Sequence, residues 1–458
     1  MSTERNINTI IIGAGITGLT AAYYLQKKTN DFMVLEEQDR VGGVIQTVRE
    51  NGFLYETGPN TGVLGQPEAA LLFEDLDRNV ELELANEAVN KRYILKNGKW
   101  EPLPAGLSQA ITTPLFSLKD KFRILLEPFR ARGKNPEETL EELVIRRMGK
   151  SYLDYAIDPF ILGVYAGDPH TLVPKYALPK LYRLEQDYGS FIGGAIKKKF
   201  IKQTDQEKKA TRQVFSVKGG LQSLVDALYR ETGPDKFELG FKNIQIHKEP
   251  AGYKVTGINR QGRKEEYHTN TILVTTGSHK LPGLLPSIGE KEMAALTDLR
   301  YAKVIEVALG FDQWNGIDLD GFGGLIPFKE NHNLLGVLFL SAFLENRAPA
   351  GGALFTLFLG GVRKSELFQK SDSEITKIVE KEFMNLMGIN EFNPALFKIF
   401  KHEWAIPQYE KSSGTRFQTI ESIEKGNPGL FLRGNFQGGI GLADRIRQGK
   451  LAAGSIPL

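Results

Sequence analysis

The chain has 458 residues, of which 41% are hydrophobic and 25% charged, with a formal net charge of +3. This is an ordinary globular mixture, long enough for about two to four domains, and it excludes a wholly disordered, collagen-like or coiled-coil chain. Cysteine is absent, which excludes disulfides, thiolate nucleophiles, iron–sulfur clusters, thiolate zinc sites and a flavin tethered through a thioether, and leaves a reducing cytoplasm as the simplest compartment. The six histidines fall in no metal-ligand spacing, so no metal is expected, and the weak basic bias gives no argument for nucleic acid. Thr9–Ile12 comes too early for a signal peptide. The longest apolar run, Leu334–Leu344, falls short of the roughly 20 residues of a spanning helix. The expectation is a soluble protein that at most lies on a membrane surface.

Thr9–Ile12 reads as a buried parallel strand, followed by Gly13-Ala14-Gly15-Ile16-Thr17-Gly18, a helix from Leu19 to Lys28, and a second strand, Phe32–Leu35, ending at Glu36. Strand, Gly-x-Gly-x-x-Gly, helix, strand and terminal acid form a dinucleotide fingerprint. Gly13 permits the tight turn, Gly15 lets the backbone approach a pyrophosphate, and Gly18 lets helix and strand pack closely. The helix N-terminus faces the phosphates, and Glu36 is placed to accept from ribose hydroxyls. The acid argues against a 2′-phosphate. Glu36-Glu37-Gln38-Asp39-Arg40-Val41-Gly42-Gly43 continues without a break. Arg40 is read as a cation near a diphosphate, with Gly42 and Gly43 exposing backbone N–H groups to it. Thr57-Gly58-Pro59-Asn60 adds another tight turn.

A helical pattern is expected over residues 71–85, then a hairpin from Tyr93-Ile94-Leu95 through Asn97-Gly98. Residues 106–200 are helix-rich and punctuated by prolines, with a capped helix start at Asn135–Leu140. Lys197–Lys209 is read as a solvated helix end and loop, with contact to an anionic membrane surface as the minority reading. An amphipathic helix follows Val217–Leu221, then short strands, then Thr271–Gly277, a buried strand returning to the first sheet. Residues 300–400 read as a separate sheet-bearing unit with a helix near Glu374–Leu386, and Leu334–Leu344 and Ala353–Leu359 as paired strands. Near the carboxyl end, strand Gly429–Leu432, glycine-dense Gly434–Leu442 and a helix from Ala443 repeat an anion-cradling order.

Gly163-Val164-Tyr165-Ala166-Gly167-Asp168, Gly321–Pro327, Arg347-Ala348-Pro349, Gly360-Gly361 and Ala405-Ile406-Pro407-Gln408-Tyr409 stand in order. With the amino-terminal motif, they resemble oxygen-dependent protoporphyrinogen/coproporphyrinogen oxidases of the flavin amine oxidase superfamily, over essentially the whole chain. The resemblance implies an α/β fold with α+β elements: a Rossmann-like FAD-binding domain (1–85, 205–290 and 405–458), a mixed-sheet substrate domain (86–105 and 291–404) and an inserted helical domain (106–204).

It also implies noncovalent FAD, held by Gly13, Ala14, Gly15, Ile16, Thr17, Gly18, Glu36, Glu37, Arg40, Gly42, Gly43, Thr57, Gly58, Pro59, Asn60, Asn243, Trp404, Gly438, Gly439, Ile440, Gly441 and Leu442. Arg92 matches the residue that meets a substrate propionate. Phe322, Leu325 and Phe358 match apolar pocket positions, Gly163 the glycine nearest the reacting carbon, and Ala166 and Gly167 the same wall. The expected function is oxidation of a porphyrinogen to the porphyrin by O2 in haem biosynthesis, driven by the flavin with no certain catalytic side chain. Protoporphyrinogen and coproporphyrinogen stay open as substrates. So does a flavin amine oxidase, in which Trp404 and Tyr409 would frame the amine, and a non-catalytic binding protein of the same fold. Residues 106–204 show no long apolar run, which speaks against membrane embedding. A peripheral membrane contact and a homodimer also stay open.

Overall fold

The computed structural model describes residues 3–457. Its organising element is a five-stranded parallel sheet in the order Phe237–Leu239, Phe32–Glu36, Thr9–Ile12, Thr271–Val274, Leu430–Leu432. These short strands are mostly buried on both faces, as the runs Thr-Ile-Ile-Ile and Thr-Ile-Leu-Val require. The helix Ile16–Gln26 lies against one face, between the helices Gln222–Thr232 and Leu442–Ser455. Three widely separated stretches of chain therefore build one sheet. A four-stranded sheet (Thr3–Asn6, Lys264–Thr269, Tyr253–Ile258, Lys242–Lys248) packs on its other side through Phe241, Val255 and Tyr267.

The second large element is a seven-stranded mixed sheet in the order Leu396–Pro407, Tyr301–Phe311, Ala353–Gly360, Leu334–Leu338, Gly321–Leu325, Lys91–Lys96, Lys99–Pro102. Only the pairing of Gly321–Leu325 with Lys91–Lys96 is parallel. Alternation along Tyr301–Phe311 sends Ile305, Val307 and Leu309 to one face, where Ile375, Val379 and Phe383 of the helix Asp372–Met387 cover them. That helix starts on a Ser371/Glu374 capping box. The opposite face, carrying Val304, Glu306 and Ala308, looks toward the segment Phe53–Asn60.

Residues 107–208 form a set of short helices. Buried Arg147 ties three of their segments together, pairing with Glu127 and, at 2.8 Å, with Glu185. The capped start is found at Thr139, whose hydroxyl and the Glu142 carboxylate cap each other's backbone. Two expectations are corrected. Residues 71–85 are not one helix: the helix Pro67–Leu76 is followed by a short 3-10 turn and a strand, Leu82–Leu84, which pairs with Val214–Val217. The apolar run 334–344 is a strand only to Leu338, and Leu340–Phe343 is a helical turn. Its pairing with Ala353–Gly360 is as expected. Among the described residues no helix is long and apolar enough to cross a membrane.

Candidate functional site

The loop after Thr9–Ile12 behaves as its glycines demand. Gly13 sits at φ +100°, and a side chain on Gly18 would overlap the Gly13 carbonyl, so the helix meets the turn backbone to backbone. Gly15 has an ordinary φ of −69°, and a Cβ built there meets nothing within 4 Å. Gly15 is thus not needed for the fold. It leaves open space at the N-terminus of Ile16–Gln26, which carries no side-chain cap and keeps its first N–H groups free to donate. The Glu36 carboxylate accepts from Ala14 N at 2.6 Å and from Gln38 N at 2.8 Å, fixing it beside the loop. Gly42 N donates to Ala14 O, and a Cβ on Gly43 would lie 3.3 Å from Gly15 Cα, so the two glycine turns abut.

Arg40 has a structural role in the second turn. Its guanidinium donates to the carbonyls of Val41, Ile45 and Gly43 at 2.6–3.2 Å and staples the second turn into shape. The carboxyl-terminal turn is closed by its own acid. Gly441 N, at the start of Leu442–Ser455, donates to Asp444 Oδ2 at 3.2 Å. That carboxylate caps the helix and would repel a phosphate, so the turn suits an uncharged part of a cofactor. Gly438 and Gly439 hold φ of +74° and +101°, and Ile440 packs on the core of the helical segment. Buried Tyr409 donates to Asn435 O at 2.7 Å and to Gly439 O at 3.1 Å, and Gln408 donates to Tyr165 O at 2.9 Å. The Pro407-Gln408-Tyr409 step thereby joins the carboxyl-terminal turn to the corner at Ala166.

Thr57 N bonds Gln46 O, and a side chain on Gly58 would overlap Val44 O, which keeps the Thr57–Asn60 turn tight against the second glycine turn. Asn243 stands at φ +54° in a bulge of Lys242–Lys248, shortly after Phe241, whose N–H bonds Glu36 O. Glu37 faces outward and pairs with Lys280 at 2.8 Å. Trp404 is 49% exposed and stacks on His279 at 4.5 Å, so it is not core.

On the large sheet, register aligns Ile94, Leu325, Gly336, Phe358, Glu306 and Phe400 in one row across six strands. Phe358 is the one partly exposed position of Ala353–Gly360. A side chain on Gly163, in the helix Asp158–Tyr165, would overlap Leu325 Cδ2. Ala166 closes that helix at φ +45°, a conformation alanine rarely adopts, and its carbonyl accepts from Val362 N at 2.9 Å. A Cβ on Gly167 would lie 2.6 Å from Gln408 Oε1. A π-helical stretch, Leu153–Ile157, resets the register just before Gly163. Phe322 packs against Phe343 at 4.6 Å, and the Arg92 guanidinium lies 5.2 Å over the Phe322 ring. Arg92 is exposed and, among the described residues, pairs with no carboxylate. The structure thus brings Gly163, Ala166, Leu325 and Phe358 to one side of the sheet face and Phe322 and Arg92 to the other.

Sequence reasoning missed the polar groups between them. Glu306, 2% exposed, accepts from Asn60 Nδ2 at 2.7 Å, and Asn60 Oδ1 accepts from Thr356 Oγ1 at 2.8 Å. His402 Nε2 faces Glu306 Oε2 at 3.7 Å. Burial pushes the Glu306 carboxyl above the usual range, and pushes that of buried Glu56, which accepts from Leu221 N and Thr47 Oγ1, up to about 7. The available signal was a lone acid inside the apolar strand Val304–Phe311.

The geometry fits FAD. A side-chain-free cleft at Gly15 and Gly43 with unspent N–H groups suits the pyrophosphate, Glu36 the ribose, and the turns at 57–60 and 438–442 a ring without charge. The chain matches the family described as flavin containing amine oxidoreductase over residues 16–456. It is 31% identical to protoporphyrinogen oxidase 2, chloroplastic/mitochondrial, of Arabidopsis thaliana, covering 97% of this chain and 92% of that one. It is 27% identical to coproporphyrinogen III oxidase of Bacillus subtilis (strain 168), covering 97% and 96%. Among solved structures, one from Exiguobacterium sp. 255-15 superposes with a TM-score of 0.81 at 24% identity over 99% of both chains. A putrescine oxidase superposes with 0.72 at 15% identity, again over 99% of both. The chain belongs to the flavin containing amine oxidoreductases, as an FAD-dependent oxidoreductase.

Proposed function

We propose that the protein dehydrogenates a porphyrinogen to the porphyrin, with O2 as the final acceptor, in haem biosynthesis. The observation that carries this reading is the sheet face itself: an apolar row of Leu325, Gly336 and Phe358, with Arg92 exposed nearby and, among the described residues, free of carboxylate partners. A flat macrocycle bearing propionates needs such a floor and such a cation. The relatives named for protoporphyrinogen and coproporphyrinogen oxidation support the same substrate class. Bound FAD supplies a two-electron acceptor. The protein's own residues orient the macrocycle: Gly163 keeps one wall low, Ala166 and Gly167 shape it, and Phe322 carries Arg92. The division into a flavin part (1–85, 205–290 and 405–458), a substrate part (86–105 and 291–404) and a helical insertion (106–204) is proposed with it. The membership of the two large sheets supports that division.

Amine oxidation is less well supported. Tyr409 spends its hydroxyl on two carbonyls within the core, and Trp404 stacks on His279, so the two do not frame a common space. The test is anaerobic mixing of the FAD-loaded protein with coproporphyrinogen III, protoporphyrinogen IX and a primary amine, watching the oxidised flavin band. Bleaching by a porphyrinogen, reversed by O2, is expected, and the faster of the two identifies the substrate. Bleaching by the amine alone overturns the reading.

We further propose that the enzyme works in the cytoplasm, against the surface of a membrane. Although residues 106–204 hold no long apolar run, their fold exposes Ile111, Leu118, Phe122, Leu125, Phe129 and Phe200, the last two 85% exposed, beside Lys197, Lys198 and Lys199. The turn at Glu127 docks on the start of Phe191–Lys199, so the segment carrying Leu118–Phe129 packs on the helix that ends in the lysines. Exposed apolar side chains together with a lysine cluster suit an anionic bilayer. Co-sedimentation with anionic vesicles checks it. A homodimer burying the same patch is the alternative outcome, read from the mass in solution.

A further inference from the structure

Glu306 stands where two apolar clusters meet. One holds Ala308, Phe322, Phe343 and Phe400, and the other holds Leu162, Ala166, Val304 and Phe358. In the sheet it is directly paired with Phe358 on one side and Phe400 on the other. A carboxyl at the seam of the proposed macrocycle floor has no packing role that an apolar residue would not fill better, because burying it costs hydration. Its Oε1 is engaged by Asn60, from the Thr57–Asn60 turn. Its Oε2 looks at His402 Nε2 across 3.7 Å. That nitrogen is itself buried and has no hydrogen-bond partner, whereas the rest of the imidazole reaches the surface, with 28% of the side chain exposed. A small rotation closes the gap.

Resting on the porphyrinogen reading, we infer that Glu306 and His402 form the exit for the proton released in each dehydrogenation. The balance is as follows. A C–H bond of a bridging methylene breaks and its electron pair leaves as hydride to the oxidised flavin. A pyrrole N–H breaks, its electron pair completes the new double bond in the macrocycle, and the proton goes to the Glu306 carboxylate. The carboxylic acid hands that proton to His402 Nε2, and the imidazolium loses one to water. O2 would take the electron pair and hydrogen from the reduced flavin and, with one proton from water, leave as hydrogen peroxide. Asn60 holds the carboxylate in place, and Thr356 holds Asn60. The titratable groups facing Glu306 are His402 from Leu396–Pro407 and Glu56 from Phe53–Glu56; the neighbouring strand Ala353–Gly360 and the 57–60 turn present Thr356 and Asn60, which do not titrate. Desolvation raises the affinity of Glu306 for a proton, as a transient acceptor requires.

The experiment is anaerobic flavin reduction by whichever porphyrinogen bleaches the wild-type enzyme, followed against pH for the wild type, Glu306→Gln and His402→Gln. Glu306→Gln keeps an oxygen for Asn60, so FAD content and the substrate constant should hold. The reduction rate should fall about 10²–10³-fold, within the range of general base catalysis, and lose its rise with pH. His402→Gln, at a partly exposed position, should slow reduction less and shift the rise. In the FAD-free protein, thermal melting of Glu306→Gln relative to wild type should improve as pH increases, because no buried carboxyl is left to ionise. A wild type bleached by porphyrinogen together with a Glu306→Gln protein of unchanged rate and pH profile overturns this inference alone. If Glu306→Gln does not hold FAD, an unchanged rate and profile for His402→Gln overturns it instead. A wild type that no porphyrinogen bleaches fails the substrate reading, and the proton exit falls with it.

Discussion

Gly163 and Leu325 are in contact across the boundary between the helical insertion and the large sheet, and only because Gly163 has no side chain. A methyl group there would overlap Leu325 Cδ2, and one on Gly336, across the sheet, would lie 3.3 Å from the same atom. Leu325 therefore stands in a notch with a glycine on either side. In Gly163→Ala the Leu325 side chain must swing toward Phe358 and narrow the floor. We expect a loss of about 1–3 kcal/mol in stability, typical of overpacking. The specificity constant for the porphyrinogen should fall as well, with FAD content unchanged. Melting temperature and steady-state turnover of the variant check both.

Gly15 and Gly18 separate binding from folding. Gly15→Leu should fold with a wild-type melting curve in the absence of FAD, because its backbone is unstrained and its Cβ meets open space. It should purify without flavin, because the side chain occupies the approach to the helix N-terminus. Gly18→Ala should lose stability whether or not FAD is added, since its methyl meets the Gly13 carbonyl. The flavin absorbance and apo-protein melting of the two variants read these outcomes apart.

Among the described residues no carboxylate answers the charge of Arg92. Arg92→Ala should raise the apparent substrate constant about tenfold to a hundredfold, matching roughly 1.5–3 kcal/mol for a charge-assisted hydrogen bond. FAD content should not move. Arg92→Lys should recover only part, because an ammonium cannot grip a carboxylate at two points. Phe322→Leu should behave as a mild form of the same variant, since the ring supports the guanidinium.

Glu56 makes stability depend on pH. Its carboxyl is pushed from 4.5 to about 7 in the folded protein, chiefly by burial. A raised folded value means the native state holds a proton that the unfolded chain gives up. The cost of folding therefore grows as pH climbs above the unfolded value and levels off above about 7. Glu56→Gln should remove that dependence and gain on the wild type with rising pH, by on the order of 3 kcal/mol at the plateau. Denaturant midpoints of the two FAD-free proteins across pH measure it.

The amino-terminal fingerprint, the return of Thr271–Val274 to the first sheet and the pairing of the apolar runs after residue 330 were all legible in order and spacing. Local chemistry decides each of them: glycines at fixed offsets, β-branched runs, turn residues between. What was not legible depends on direction and burial. Arg40 follows a dinucleotide motif, and nothing in its neighbours reveals that three carbonyls of its own turn accept from it. Asp444 reads as one acid in a helix, and only the structure shows that it caps the glycine turn read as covering the flavin. Glu306 is a lone acid inside an apolar strand, and only the register sets it beside Phe358. The exposed crest at Leu118–Phe129 is apolar at spaced positions rather than in a run, so a search for continuous hydrophobicity passes over it.

The helix that opens the nucleotide site leans on the far end of the chain. Gly449 packs against the Thr17 carbonyl and Thr20, and Lys28 Nζ donates to Ala453 O at 2.9 Å. Leu430–Leu432 is also an edge of the same sheet. On a ribosome adding about 5–20 residues per second, the fingerprint emerges roughly 20–90 s before these supports exist. Throughout that interval the apolar faces of Thr9–Ile12 and Ile16–Gln26 lack their cover. Cofactor loading is accordingly expected only once Leu442–Ser455 has been made, and until then those faces are an aggregation hazard.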